Sequence, residues 1–112
     1  MFDSIAFQSV GGMDASRRIQ LLALSTCGFC RRGQEFLEKH GLAYEYVHLD
    51  TLDASFKVKA KEEFKAAFGV ALSYPALVID GKAHAVGYVR RFWEALLNIP
   101  HEEEASEVEI LD

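Results

Sequence analysis

The sequence predicts an α/β fold in which a four-stranded mixed sheet carries helices on both faces. Three observations lead there. Strand-type and helix-type patterns alternate along residues 19–97. The apolar run Ile19-Gln20-Leu21-Leu22-Ala23-Leu24-Ser25 shows no period of two, as a central strand covered on both faces should not. Asp80-Gly81, set between two short strand-like runs, is the strongest hairpin signal in the chain.

Residues 1–18 come first, and Val10-Gly11-Gly12-Met13-Asp14 breaks any regular pattern there, so this stretch is expected to be an extension packed loosely on the domain. After the strand at 19–25, residues 28–40 read as a helix. Phe29, Gly33, Phe36, Leu37 and His40 recur at helical spacing and Gly41 is a C-terminal stop. Tyr44-Glu45-Tyr46-Val47-His48-Leu49 is rich in strand formers, and Asp50 to Asp53 offers turn and N-cap chemistry. Phe56, Ala60, Phe64, Ala67 and Phe68 predict a second helix stopped by Gly69. Pro75–Ile79 and Lys82–Val86 are two antiparallel strands. Val89, Phe92, Trp93, Leu96 and Leu97 then mark a third helix that ends before Asn98 and Pro100, with Phe92 and Trp93 expected in the core. A right-handed crossover makes the first two strands parallel, and the hairpin adds antiparallel ones. The organisation is thus an extension (1–18), one domain (19–100) and an acidic tail (101–112) expected to be mobile and solvated.

A chain of 112 residues, half of them hydrophobic, suits one domain with a real core. No apolar run approaches the roughly 18 residues that span a bilayer. The N-terminal residues lack a basic region and a signal-peptide core, so the expected location is cytoplasmic, with no membrane partner. Net charge is −5, yet six of the 17 acids stand at Glu102, Glu103, Glu104, Glu107, Glu109 and Asp112. The rest of the chain sets 11 acids against 12 bases, which gives nucleic-acid binding no electrostatic support.

The chemistry is concentrated in Cys27-Gly28-Phe29-Cys30, which holds both cysteines of the chain at a strand-to-helix junction. A sulfur there lies near the unpaired N–H groups of the helix start, whose dipole favours thiolate over thiol. A second thiol three residues on falls on the same face of the first turn, within reach of the first. That arrangement suits reversible dithiol–disulfide exchange, and in a reducing compartment a CxxC points to redox or metal chemistry rather than a structural bridge. His40, His48, His84 and His101 are scattered without ligand spacing, so no metal site is expected within one chain. Arg31 and Arg32 either raise the local positive potential or form an exposed helix face. Arg90 and Arg91 open the third helix, where cations oppose the dipole; an anionic partner near Gly87 or plain solvation accounts for them.

With this element order, the CGFC motif, Tyr74-Pro75 opening the third strand 48 residues after the first cysteine, and Asp80-Gly81 in the next hairpin, residues 19–97 resemble glutaredoxins, the short form of the thioredoxin superfamily. The resemblance implies a thioredoxin-like fold and thiol–disulfide oxidoreductase activity on protein or glutathione mixed disulfides. It implies that Cys27 is the attacking thiolate and the more exposed sulfur, that Cys30 is the buried resolving thiol, and that Pro75 is cis and faces the pair. Gly28, Phe29, Tyr74, Pro75 and Gly87 are the implied substrate-binding residues, although Tyr74 also suits a core position. No tightly bound cofactor is implied, with glutathione as electron donor and a monomer as the working form.

The chain departs from the glutathione-using pattern at definite places. Leu24 stands three residues before Cys27, where those proteins carry a basic residue. Ala85-Val86-Gly87-Tyr88-Val89-Arg90 has one glycine of the usual pair and lacks the acid that follows. A thioredoxin-reductase-type donor is therefore an alternative to glutathione. Gly28-Phe29 is also similar to the active-site dipeptide of monothiol glutaredoxins. That likeness makes iron–sulfur cluster binding through Cys27 across a dimer the alternative function.

Overall fold

The computed structural model describes residues 1–101. In chain order its elements are β1 (Gln8–Val10), β2 (Ile19–Ala23), α1 (Gly28–Lys39), β3 (Tyr44–His48), a 3-10 turn (Leu49–Thr51), α2 (Ala54–Phe68), β4 (Ala76–Ile79), β5 (Ala83–Val86) and α3 (Arg90–Leu97). The strands form one mixed sheet in the order β1-β3-β2-β4-β5. β2 and β3 are parallel and every other neighbouring pair is antiparallel. The acidic tail expected from residue 101 lies, beyond His101, outside the described residues.

β2 occupies the centre and is buried along its whole length, which is why its residues do not alternate. Side-chain parity still divides it between two cores. Ile19 and Leu21 pack with Leu77, Ile79, Phe36, Leu37, Trp93 and Leu97 on the face covered by α1 and α3. Leu22 packs with Val47, Ala76, Val78, Ala60 and Phe64 on the face covered by α2. The buried amide of Gln20 (3% exposed) donates to Glu45 Oε2 at 2.8 Å, so the central strand carries no unsatisfied polar side chain. Helix stops fall where left-handed residues permit them, with Gly41 at φ 68° and Gly69 at φ 75°. Asp80 and Gly81 take φ 54° and 68°, as the mirror-image hairpin turn requires.

The sheet has one strand more than the sequence reading, and the extra strand comes from the segment expected to pack loosely. β1 pairs antiparallel with β3 through Gln8–Tyr46, Ser9–Glu45 and Val10–Tyr44. Phe2 (2% exposed) and Ile5 (8%) enter the core on the α2 face. The Phe2 N–H donates to Glu63 Oε1 of α2 at 2.6 Å. Gly12, read as a pattern breaker, is a point of close approach. A Cβ there would sit 2.6 Å from the backbone N of Ala43, and on either side Asp14 N–H donates to Gly41 O and Ala43 N–H to Asp14 O, each at 2.9 Å. Phe92 also departs from expectation: it is 62% exposed, because α3 turns Trp93, Glu94 and Leu97 inward instead.

Candidate active site

The site forms where β2 ends and α1 begins. Cys27 is the N-cap of α1, with extended backbone, and its Sγ accepts the Cys30 N–H at 3.1 Å. The sulfur therefore does what a Ser or Asp side chain does at other helix starts: it satisfies an orphan N–H, at the positive end of the dipole. Cys27 is partly exposed and Cys30 is fully buried, both with free thiols. The Cys30 thiol is pushed up to about 12, first by burial and then by its hydrogen bond to the Cys27 side chain, with a backbone hydrogen bond at Leu24 in partial opposition. Cys30 thus keeps its proton while its backbone N–H holds the neighbouring sulfur.

Two strands flank the end of β2 that leads into the pair. On one side the Tyr74–Pro75 peptide bond is cis and Pro75 is fully buried. The Pro75 carbonyl accepts the Gly87 N–H at 2.7 Å, and the Gly87 carbonyl accepts Trp93 Nε1–H at 3.1 Å. Gly87 (φ 81°) thereby joins the hairpin exit to the proline and to the indole. Tyr74 is half-buried, and its hydroxyl is pushed up by burial, then by the charges of Asp50 and Cys30. On the other side Ser25, two residues before Cys27, donates its N–H to Asp50 Oδ1 at 2.9 Å and its hydroxyl to Asp50 Oδ2. These bonds, the hydroxyl's first, hold the exposed Asp50 carboxyl below the usual carboxylate range.

Of the sequence-predicted residues, Cys27, Gly28, Phe29 and Cys30 share the start of α1, and Tyr74 lies near enough to Cys30 to be affected by its charge. Gly28 is exposed and Phe29 is 59% exposed, with the Arg32 guanidinium 5.5 Å from its ring centroid. Arg31 and Arg32 lie on an exposed face. Arg90 meets its helix-start cost within the fold: its Nε lies 3.0 Å from Oε2 of the buried Glu94, whose Oε1 is 2.7 Å from His101 Nδ1. Ser25 and Asp50 were not among the predicted site residues. The signal for them lay in the strand register, which no single segment contains.

A cavity of about 300 Å³ opens between α1 and the start of α3, lined by Arg32, Phe36, Lys39, His40 and Tyr88. Neither sulfur lines it. Among the described residues no three His, Cys, Asp or Glu side chains come together as metal ligands, and no helix is long and apolar enough to cross a membrane.

Comparison with known proteins agrees with this architecture. The family model described as glutaredoxin matches residues 17–84. Among solved structures, a glutaredoxin from Methanosarcina mazei is 25% identical, covering 81% of this chain and 86% of that one, with a TM-score of 0.69. A glutaredoxin from Archaeoglobus fulgidus is 30% identical over 70% of this chain and 84% of that one, at a TM-score of 0.62. A buckwheat glutaredoxin–glutathione complex shares the fold, at 24% identity over 64% and 62% of the two chains and a TM-score of 0.53. No curated protein sequence matches significantly.

Proposed function

The chain belongs to the glutaredoxin family and is a thiol–disulfide oxidoreductase of thioredoxin-like fold; from that premise we propose that it reduces protein or glutathione mixed disulfides through Cys27 and Cys30. The observation that carries this reading is the division of labour between the sulfurs. Cys27 is partly exposed at the positive start of α1, while Cys30 is buried, protonated and hydrogen-bonded to it. Cys27 thiolate attacks one sulfur of the substrate disulfide, expels the other as a thiolate and forms a mixed disulfide. Cys30 then attacks the Cys27 sulfur and expels the substrate sulfur as a thiolate, which takes up the Cys30 proton and leaves as reduced substrate, so the Cys27–Cys30 disulfide remains. Pro75 and the Tyr74 backbone orient the partner, with Gly28, Phe29 and Gly87 beside them. Glutathione is the donor suggested by the family and by the buckwheat complex. A thioredoxin-reductase-type donor suits Leu24 and the missing acid after Gly87.

The test is intact-mass analysis across glutathione redox buffers together with a turnover assay. Cys27→Ser should abolish turnover. Cys30→Ser should hold a persistent mixed disulfide with glutathione or substrate, where the native protein passes sharply from two thiols to an internal disulfide. Full activity in Cys27→Ser would reverse the assigned roles.

A further inference from the structure

Asp50 comes from outside the CGFC motif, yet the sheet delivers it to the redox pair. In the parallel register Ala23 pairs with His48, so two steps further on Ser25 meets Asp50. In the antiparallel register Leu22 pairs with Ala76, which brings the start of β4 alongside the end of β2 on the other side. The end of β2 is thus tied to a carboxylate immediately before Cys27. Both Ser25 hydrogen bonds end on that carboxylate, and the next link is local, Cys27 N–H to Leu24 O at 3.3 Å. The groups that face Asp50 are Ser25 after β2, His48 on β3, Cys30 on α1 and Tyr74 before β4. Of these, Ser25 meets it through hydrogen bonds and only His48 can offset its charge.

We propose that Asp50 is a positioning residue of the redox centre: through Ser25 it fixes the loop that presents Cys27, and its fixed negative charge biases the pair toward the disulfide. The inference rests on the dithiol reading above. Closing the disulfide transfers two electrons and two protons from Cys27 and Cys30 to glutathione disulfide, which leaves as two molecules of glutathione. The reduced form holds the attacking Cys27 thiolate at the start of α1, with Cys30 protonated, and the oxidised form holds no thiolate. A carboxylate nearby penalises only the form that can become anionic, which makes the native dithiol a stronger reductant than the same pair without it. Asp50 is exposed, so the effect is screened and modest.

The experiment compares Asp50→Asn, Ser25→Ala and native protein by intact mass in graded glutathione buffers, with the pH profile of glutathione release from the Cys27 adduct. Asp50→Asn keeps an acceptor for Ser25 and loses the charge. It should shift the equilibrium toward the dithiol about threefold, or about 14 mV at 29.6 mV per tenfold, and move the pH profile of release downward. Ser25→Ala keeps the charge and should leave the potential within about twofold of native while slowing turnover. An unchanged potential and profile in Asp50→Asn overturns the proposal. So does an equal shift of potential in Ser25→Ala, which would assign the effect to loop geometry alone. If even native protein never forms the disulfide, the dithiol reading itself fails and this assignment falls with it.

Discussion

Burial separates two chemically identical thiols. Cys30, with no exposed surface, is kept protonated to about 12, whereas in the unfolded chain a thiol ionises near 9. Between those values the unfolded state has released a proton that the folded state retains, so stability is intact below about pH 9 and falls as pH rises toward 12. Tyr44 adds a second loss of the same sign from about pH 10, since burial and its 2.6 Å hydrogen bond to Glu38 also push it up to about 12. Urea denaturation of the reduced protein at steps from pH 8 to 10.5 should show the decline, and Cys30→Ser should remove its earlier part. An identical slope in that variant would separate the loss from the thiol. At this scale the partly exposed Cys27, the buried Cys30 and the cis bond before Pro75 were legible in the sequence, because a motif and a strand-opening proline are local signals. Ser25 and Asp50 were not: 25 positions apart, they meet only once two strands are in register.

The packing of α1 against α3 turns on the absence of one methyl group. A Cβ at Gly33 would stand 2.6 Å from Trp93 Cη2, so the indole fills the space that a side chain would otherwise take. Alanine there gains up to about 1 kcal/mol of helix propensity but overpacks a core in which such insertions cost about 1–3 kcal/mol. Gly33→Ala should therefore lower stability by about 1 kcal/mol, as a reduced urea midpoint at constant m-value. A stabilised variant would show that Trp93 can move aside freely. Periodicity identified the helices, and glycines at positions 41 and 69 their ends, since these depend on neighbours in sequence. It placed Gly33 on the inward face without revealing why glycine is needed, because the reason lies 60 residues away. It also put Phe92 inside, since an aromatic beside Trp93 carries the same apolar signal whichever way the helix is turned. The rotation that buries Glu94 follows from its pairing with Arg90 and His101.

Across the whole molecule, the sheet is completed by a segment whose sequence gave little sign of it. β1 has three residues, too few for alternation to register, and its anchors Phe2 and Ile5 lie outside the strand. The resemblance began only at residue 19, so it carried no expectation of a fifth strand. Removing residues 1–10 should cost about 3 kcal/mol or more, from about 1.5–3 kcal/mol for each of the two buried side chains. It would also uncover the β3 edge as a template for other chains. Urea denaturation and size-exclusion chromatography check both effects; a monomer of native stability would reduce the segment to an accessory. The connection also has a consequence during synthesis. β1 leaves the ribosome more than thirty residues ahead of the strand it pairs with, and Phe2 well before Glu63, so Phe2, Ile5 and Phe7 must wait without their partners while the rest of the sheet is made. Nascent chains stalled before α2 should accordingly be a point at which this protein depends on chaperones, however stable the finished molecule is.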